Sequence, residues 1–295
     1  MAHSFYLVDV FAESKYAGNQ LAVVRNAADL SALDMQKIAA EMNYSETTFI
    51  LSDEVRDGGY DVRIFSLDEE LPFAGHPTLG TAYIIQQQII GEAIGEVRLN
   101  LKAGQIPVTF SYLEGKPDQL WMQQIAPTFG RKFSPEDVAR AINIDSCSID
   151  QRFPIEEVST GLPFIIVPLK DLAAIKKCNI DRVGYMKLID QAEAKSIFVF
   201  CSECYDPRNQ INARMFDDFH GIAEDPATGS ANGCLAAYLV KNRYYGSPAI
   251  DIKVEQGYEI GRPSLLLLKA AEEEGVAITV SVGGRVIMVA GGELV

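Results

Sequence analysis

The sequence predicts an α/β (α+β) protein built from two similar halves, each a curved mixed sheet wrapped around a central helix. Three observations support this fold class. The chain has 295 residues, which is enough for two domains. Short apolar stretches alternate with turn residues and a few helical patterns, as is typical of mixed folds. Finally, one strand–loop–helix pattern occurs twice along the chain.

The first elements follow from local composition. Residues 5–11 and 21–24 are apolar and separated by the loop-forming Ala-Gly-Asn at 17–19, so we expect two strands. Apolar runs elsewhere, such as 164–169 and 265–268, are also strand length and far short of a bilayer span.

A helix should follow, because Ser31 and Asp34 form a capping pair ahead of apolar residues at helical spacing. Asn43 ends this helix, and the β-branched segment 47–51 is a strand. Glu46 therefore lies at a helix-to-strand junction, where a side chain can be presented to a cleft.

The internal repeat is the most informative feature. Arg-Ile-Phe at 63–65 precedes Pro-Thr-Leu-Gly-Thr-Ala at 77–82, and Arg-Met-Phe at 214–216 precedes Pro-Ala-Thr-Gly-Ser-Ala at 226–231. We interpret each copy as a strand, a loop and a helix opened by proline. Both helices are small and apolar almost all round, so each should be buried on every side.

The boundary between the halves is predicted where turn residues cluster, from 113–117 towards 127. This division gives an N-terminal half at 1–116 and a C-terminal half at 117–295, with the option that a terminal strand crosses over. A further helix begins after Ser134, with proline at its first position and acids in its first turn.

The negative net charge of the protein limits the partners that it can bind. The formal net charge is -14 and the pI is near 4.7, so the protein repels nucleic-acid phosphates and anionic lipids, and we expect neither nucleic acid nor a membrane as partner. The first residues lack the basic and apolar regions of a signal peptide, which favours a soluble, cytoplasmic protein.

The cysteines and histidines do not indicate a metal site. The five cysteines are irregularly spaced, which is unlike a disulfide framework, and the three histidines are scattered. The Cys-Ser-Glu-Cys at 201–204 could serve redox chemistry or form half a zinc site, but no second such pair accompanies it. We therefore predict no metal and no cofactor.

The helix N-termini are the candidate binding site. Each carries unpaired N–H groups and a partial positive charge that attracts carboxylates or phosphates. Gly75 and Gly229 allow backbone donors to approach a ligand closely. If a pseudo-twofold axis relates the halves, both N-termini can face one cleft, and we expect a small anionic metabolite there.

Titratable residues lie near these helix ends. His76, just before Pro77, is either a hydrogen-bond donor and proton carrier or a cap and packing residue. Asp225, just before Pro226, occupies the corresponding place and is either functional, a plain N-cap, or both.

Glu46 has two interpretations as well. A lone glutamate is most often a surface residue, but a carboxylate walled in by apolar neighbours would have a raised pKa and could shuttle a proton. The acidic run at 68–70 is interpreted as mostly solvated.

Several segments together resemble the phenazine-biosynthesis isomerase (PhzF-like) family, in order and across nearly the whole chain. They are Phe-Tyr-Leu-Val-Asp-Val-Phe at 5–11, Gly-Asn-Gln-Leu-Ala-Val-Val at 18–24, Ser-Glu-Thr-Thr-Phe at 45–49, Arg-Ile-Phe-Ser at 63–66, Pro-Phe-Ala-Gly-His-Pro-Thr-Leu-Gly at 72–80, Glu-Asp-Pro-Ala-Thr-Gly-Ser-Ala at 224–231, Gln-Gly at 256–257 and Gly-Arg-Pro-Ser at 261–264.

The resemblance implies the diaminopimelate-epimerase-like fold and a cofactor-free isomerase that is commonly a homodimer. It implies that Glu46 moves a proton on a small carboxylate substrate, while His76 and Asp225 bind and polarise that substrate. The further substrate-binding residues that it implies are Asn19, Gly75, Gly229 and Ser230.

Alternatives from other classes remain. Racemases of this fold use a cysteine at each helix N-terminus, whereas the cysteine nearest to these positions, Cys234, lies inside the second helix. A hydrolase is disfavoured because no G-x-S-x-G elbow occurs. A non-catalytic protein that binds a small anion in the same cleft is the main alternative to an isomerase.

Overall fold

A computed structural model describes residues 2–272 and 277–295 of the chain. The helices are α1 (Ala32–Met42), α2 (Gly75–Ile84), α3 (Pro135–Ala141), α4 (Leu172–Lys177), α5 (Arg182–Asp190) and α6 (Gly229–Lys241). The strands are β1 (His3–Val10), β2 (Asn19–Arg25), β3 (Glu46–Ile50), β4 (Tyr60–Ser66), β5 (Glu70–Leu71), β6 (Glu96–Leu101), β7 (Gly104–Leu113), β8 (Lys116–Gln123), β9 (Thr128–Phe133), β10 (Ile155–Ser159), β11 (Pro163–Pro168), β12 (Ser196–Cys201), β13 (Ile211–Asp217), β14 (Ile222–Asp225), β15 (Ala249–Gln256), β16 (Ser264–Ala271), β17 (Thr279–Gly284) and β18 (Val286–Leu294).

The local signals for the early elements are confirmed. Ser31 caps α1 by accepting a hydrogen bond from the backbone N–H of Asp34, and Asn43 ends this helix in the left-handed conformation. Glu46 is the first residue of β3. Ser134 caps α3 in the same way as Ser31 caps α1.

The chain divides into two compact units. Unit 1 comprises Met1–Met122 together with Gly283–Val295, and unit 2 comprises Gln123–Val282. The first boundary lies six residues beyond the predicted one between 116 and 117, and the return of 283–295 to unit 1 is the crossover of a terminal strand that the prediction allowed.

Two features account for the difference. The turn residues at 113–117 belong to a tight hairpin inside unit 1, in which Leu113 pairs with Lys116 between β7 and β8. A hairpin turn and a linker have the same composition, so composition alone does not separate them. The last strand, β18, pairs antiparallel with β1 along its full length and so returns the C-terminal residues to unit 1.

The two units have the same strand pairing. In unit 1, β1–β2 is antiparallel, β2–β3 parallel, β3–β4 antiparallel, β4–β6 parallel and β6–β7 antiparallel. In unit 2, the pairs β10–β11, β11–β12, β12–β13, β13–β15 and β15–β16 repeat this alternation. The internal repeat in the sequence therefore corresponds to a repeated topology.

Each sheet surrounds a buried helix. Helix α2 packs on β1, β2 and β3 of its own unit, and α6 packs on β10, β11, β15 and β16 of its unit. All residues of α6 from 231 to 240 are buried. Small side chains make this possible: a Cβ on Gly80 of α2 would lie 2.5 Å from Cδ2 of Leu21. In the described part of the chain, no helix is long and apolar enough to cross a bilayer.

The same ion pair marks the repeat in both units. Arg63 on β4 forms two hydrogen bonds of 2.7 Å with Glu70 on β5. Arg214 on β13 forms the equivalent pair with Glu224 on β14, at 2.9 and 2.7 Å. Paired arginine and carboxylate groups in this fork geometry fix the position of one strand relative to the next.

The ion pairs also set the correspondence between the two helix N-termini. In each unit the helix begins five residues after the paired glutamate. This register aligns His76 with Ser230 and Leu71 with Asp225. The alignment on the two prolines, which paired His76 with Asp225, is therefore wrong, because Pro226 lies before α6 rather than within it.

Candidate active site

In unit 1 the structure brings Glu46 and His76 together. Oε2 of Glu46 lies 3.5 Å from Nε2 of His76, and the two side chains are 18% and 7% exposed. Glu46 begins β3, and His76 is the second residue of the neighbouring helix α2. Glu46 is thus a partly buried residue rather than a surface one.

Burial sets the protonation state of His76. Loss of hydration lowers the pKa of this histidine to about 3, so the ring is neutral near pH 7. Nε2 also lies 3.3 Å from the backbone carbonyl of Gln20, which can only accept. Because both neighbours of Nε2 are oxygen acceptors, we assign the hydrogen to Nε2.

The start of β2 lies at the same place. Asn19 is buried and pairs with Val10 of β1, one residue before Gln20. Gly18 precedes it with φ +67°, and a Cβ there would lie 2.3 Å from the carbonyl oxygen of Val10, so only glycine fits. Asn19 thus lies one residue before the carbonyl that His76 contacts, and the turn at Gly18 fixes the backbone there.

The helix N-termini are not capped by side chains. The N-cap residues are Ala74 for α2 and Thr228 for α6, and neither makes a side-chain hydrogen bond to the first turn. Gly75 and Ser230 are half-buried and Gly229 is buried. Donation from these backbone N–H groups to a carboxylate remains a prediction.

In unit 2, Asp225 ends β14 and is buried. It is not the N-cap of α6, which is Thr228. The Thr228 hydroxyl instead donates to Oδ2 of Asp225 at 2.5 Å.

Gln256 lies in one of the family-like segments of the sequence, but the sequence indicated no role for it. Gln256, the last residue of β15, is fully buried and hydrogen-bonds to the carbonyl of Asp225, to Thr228 and to Asn232. The available signal was a glutamine at the end of an alternating strand, directly before the turn at Gly257.

The repeat also shows which residue of unit 2 occupies the position equivalent to Glu46. Thr47 of β3 pairs with Phe65 of β4, and Ile197 of β12 pairs with Phe216 of β13. Since Phe65 and Phe216 follow the two repeat arginines by two residues, the position of Glu46 corresponds to Ser196 in β12.

The acidic run at 68–70 is only partly solvated. Asp68 and Glu69 are exposed, as predicted. Glu70 is paired, and hydrogen bonds from Arg63 and Lys102 lower its pKa to about 2.

Cys201 and Cys204 are poorly suited to redox chemistry or metal binding, because burial raises the pKa of both thiols to about 12 and leaves little thiolate. Over residues 2–272 and 277–295, no group of three His, Cys, Asp or Glu residues is arranged to hold a metal ion.

Comparison with known proteins identifies the family. Residues 8–292 match the PhzC-PhzF family, described as phenazine biosynthesis-like protein. The chain belongs to this family. It is 34% identical over 287 residues to a trans-2,3-dihydro-3-hydroxyanthranilate isomerase of Pseudomonas aeruginosa, covering 96% of each chain. A protein of the same name from Pseudomonas chlororaphis is 34% identical, covering 99% of each chain.

Solved structures agree with this assignment. The PhzF-family phenazine biosynthesis protein of Bacillus anthracis superposes with a TM-score of 0.88 at 29% identity, covering 100% of this chain and 99% of that one. A hydroxyproline epimerase of Agrobacterium vitis shares the fold alone, with a TM-score of 0.62 at 10% identity over 99% and 91% of the two chains. The protein is an isomerase of the PhzC-PhzF family with an epimerase-type fold.

Proposed function

We propose that this protein is a cofactor-independent isomerase that moves a proton on a small, carboxylate-bearing metabolite, with Glu46 as the single acid/base. The observation that carries the proposal is the contact between the carboxylate of Glu46 and the buried, neutral ring of His76. The name of the two Pseudomonas relatives suggests trans-2,3-dihydro-3-hydroxyanthranilate, or a related carboxylate, as the substrate class.

The chemistry requires a base that can return its proton. Glu46 takes a proton from a carbon α or vinylogous to a carbonyl or imine group and delivers it to a nearby carbon. A neutral His76 with its hydrogen on Nε2 donates towards Glu46 or the substrate without competing as a base. Negative charge that develops on the substrate is stabilised by N–H donors at a helix N-terminus, which is usually the largest contribution.

The difference between the repeats supports a single base. Position 46 is a glutamate, whereas the corresponding residue of the second unit is Ser196, which cannot act as a base near pH 7. A racemase that works from two sides needs an acid/base group on each side. One carboxylate suits removal and return of a proton on one face of the substrate.

The remaining site residues keep proposed roles. Asp225 would polarise the substrate, while Asn19, Gly75, Gly229 and Ser230 would bind it. The homodimer and the cytoplasmic location expected from the sequence are part of the same proposal.

Glu46→Gln tests the function directly, because it keeps the shape of the side chain and removes the base. The protein is incubated in D₂O with trans-2,3-dihydro-3-hydroxyanthranilate, and deuterium incorporation is followed by mass spectrometry. We expect the variant to lose at least about 100-fold in exchange rate, since general acid–base catalysis contributes that much or more. Circular dichroism should show an unchanged fold.

Glu69→Gln is the matched control, because Glu69 is an exposed glutamate of the same unit and should leave the rate unchanged. Wild-type exchange rates in the Glu46→Gln variant would exclude Glu46 as the base. Tight binding of the substrate by the wild-type protein without any exchange would instead identify a non-catalytic binding protein.

A further inference from the structure

We propose that Gln256 is a positioning residue that holds Asp225 in its working orientation, acting through the hydroxyl of Thr228. The inference rests on the proposed role of Asp225 in polarising the substrate. It assigns a task to a buried side chain that does not itself contact the substrate.

The amide of Gln256 makes a complete set of hydrogen bonds. Nε2 donates to the carbonyl of Asp225 at 2.9 Å and to Oγ1 of Thr228 at 3.0 Å. Oε1 accepts from the backbone N–H of Thr228 at 3.2 Å and from Nδ2 of Asn232 at 2.9 Å. The residue is fully buried, so water does not compete for these bonds.

Two backbone groups fix which way this amide points. The carbonyl of Asp225 can only accept a hydrogen bond, and the N–H of Thr228 can only donate one. If Nε2 and Oε1 of Gln256 were exchanged, an oxygen would face the carbonyl of Asp225 and an NH₂ group would face the N–H of Thr228. Neither pair can form a hydrogen bond, so only one orientation of the amide is compatible with its surroundings.

The fixed amide in turn orients the Thr228 hydroxyl. Oγ1 of Thr228 accepts from Gln256, so its single hydrogen is available for Oδ2 of Asp225, 2.5 Å away. Gln256 therefore holds Asp225 at both ends: directly at its backbone carbonyl, and through one hydroxyl at its carboxylate.

The repeat shows that the fold does not require this arrangement. In unit 2, Ala213 of β13 lies one residue before Arg214 and pairs with Gln256 of β15. In unit 1, Asp61 of β4 lies two residues before Arg63 and pairs with Asn100 of β6. In the register set by the two arginines, Gln256 corresponds to Leu101 of β6.

The other two members of the network are also apolar in unit 1. Thr228 corresponds to Ala74, and Asp225 corresponds to Leu71. The three positions are thus apolar together in one unit and polar together in the other, although both helices start in the same way.

Helix capping does not explain the glutamine either. Nδ2 of Asn232 donates to the carbonyl of Thr228 at 3.0 Å, and Oγ1 of Thr78 donates to the carbonyl of Ala74 at 2.7 Å, at corresponding positions of the two helices. In α2 this shared bond forms although the position equivalent to Gln256 is Leu101. The additional bonds of Gln256 lead to Asp225, which indicates a role in the site.

A double-mutant cycle tests the proposal. Gln256→Leu reproduces the residue of unit 1, and Thr228→Val removes the hydroxyl at nearly constant volume. We expect each to lower kcat for deuterium exchange by about 10- to 100-fold, as is usual when the partner that orients a functional side chain is lost, with KM changed by less than about threefold. Because the path from Gln256 to the carboxylate of Asp225 runs through the Thr228 hydroxyl, the double variant should be at most about threefold worse than Gln256→Leu alone.

Thr228→Ser keeps the hydroxyl and should restore kcat to within about threefold of wild type, which a merely structural role for Thr228 would not predict. Gln256→Glu has the shape of the original side chain and guards against an unfolded Gln256→Leu; it cannot donate to Thr228, so it should also lower kcat. Thermal unfolding of every variant establishes that the folded protein is being measured. Wild-type kcat in both Gln256 variants, fully multiplicative losses in the double variant, or a Thr228→Ser variant as slow as Thr228→Val would each overturn the proposal.

A spectroscopic readout separates this proposal from the proposed function. In ¹⁵N-labelled protein, Thr228→Val should shift one of the two Nε2 hydrogens of Gln256, whereas Thr228→Ser should not. An unaffected side-chain amide overturns the network whether or not the protein is active. If the wild type turns over no substrate, the proposed function fails, and the cycle is then measured on the Kd of trans-2,3-dihydro-3-hydroxyanthranilate, with the same pattern expected and additive losses overturning the network.

Discussion

At the scale of single residues, burial decides the chemistry of His76. A histidine in water is partly protonated near its ordinary pKa of about 6.5, but His76 is almost fully enclosed and its pKa falls to about 3. The neutral ring is a hydrogen-bond donor through Nε2 next to Glu46. This neutral state supports the proposal that Glu46, rather than His76, transfers the proton.

This lowered pKa predicts a pH dependence of stability. The unfolded chain takes up a proton at His76 below about pH 6.5, whereas the folded chain resists protonation down to about pH 3. The free energy of unfolding should therefore fall as the pH falls from about 6.5 towards 3. His76→Gln should remove up to about 1.4 kcal/mol per pH unit of that decline, measured by urea unfolding between pH 7 and pH 4.

His220→Gln is the comparison, because His220 is largely exposed and close to Asp217. A decline that is equally steep in wild type and in His76→Gln would show that His76 is not buried in its neutral form.

At the scale of elements, the paired arginines connect each strand to the loop that leads into the central helix. Arg214 is the more buried of the two, and its Nη1 also donates to the carbonyls of Ile175 and Cys178. Arg63 is 27% exposed, and its partner Glu70 also binds Lys102. The same ion pair is therefore expected to contribute differently to the stability of the two units.

Lysine substitutions should reveal this difference, because lysine keeps the charge and loses the fork geometry. Arg214→Lys keeps a charge near the buried carboxylate but cannot make all the hydrogen bonds to it and to the two carbonyls, and should cost about 2–4 kcal/mol. Arg63→Lys should cost about 1 kcal/mol or less, since its pair is more exposed and Lys102 remains. Urea unfolding followed by circular dichroism measures both; an Arg63→Lys variant at least as destabilised as Arg214→Lys would contradict the expected order.

At the scale of the whole molecule, the two ends of the chain form one pair of strands. Strand β18 lies antiparallel to β1, and Leu294 packs against the cluster of buried residues that includes Phe49 and Phe65. Residues near position 290 therefore stabilise the unit that begins at the N-terminus.

Removal of residues 286–295 should unfold unit 1, because it exposes the edge of β1 and uncovers part of the core. The expected loss of stability is comparable to the whole free energy of unfolding of a domain, which is about 5–15 kcal/mol. Trp121, the single tryptophan, lies in this unit with its ring against Gly283 and reports the change as a red shift in fluorescence. Removal of the exposed Val295 alone should leave the emission unchanged. An unshifted spectrum in the longer deletion would show that β18 is dispensable.

Local signals in the sequence predicted many elements well. Ser31 caps the start of α1 and Asn43 ends this helix, as predicted. The apolar character of both central helices also predicted their burial. These features depend on residues a few positions apart, so sequence alone contains them. The resemblance on short motifs also pointed to the family that the comparisons show.

Pairing between distant residues was not predictable in the same way. The sequence could not show that Glu70 binds Arg63, that Asp225 is held by Thr228 rather than capping α6, or that Gln256 lies behind both. The repeat was recognised, but its register was shifted because proline marks the two helices at different positions.

The sequence by itself determined the fold class, the internal repeat and the identity of the family, because apolar periodicity and short motifs involve residues that are close together in the chain. Only the tertiary structure decided that His76 corresponds to Ser230 and Glu46 to Ser196, and that the C-terminal strand completes the first unit. The physical reason is that strand register and side-chain burial arise from contacts between residues far apart in the chain, which no local pattern specifies.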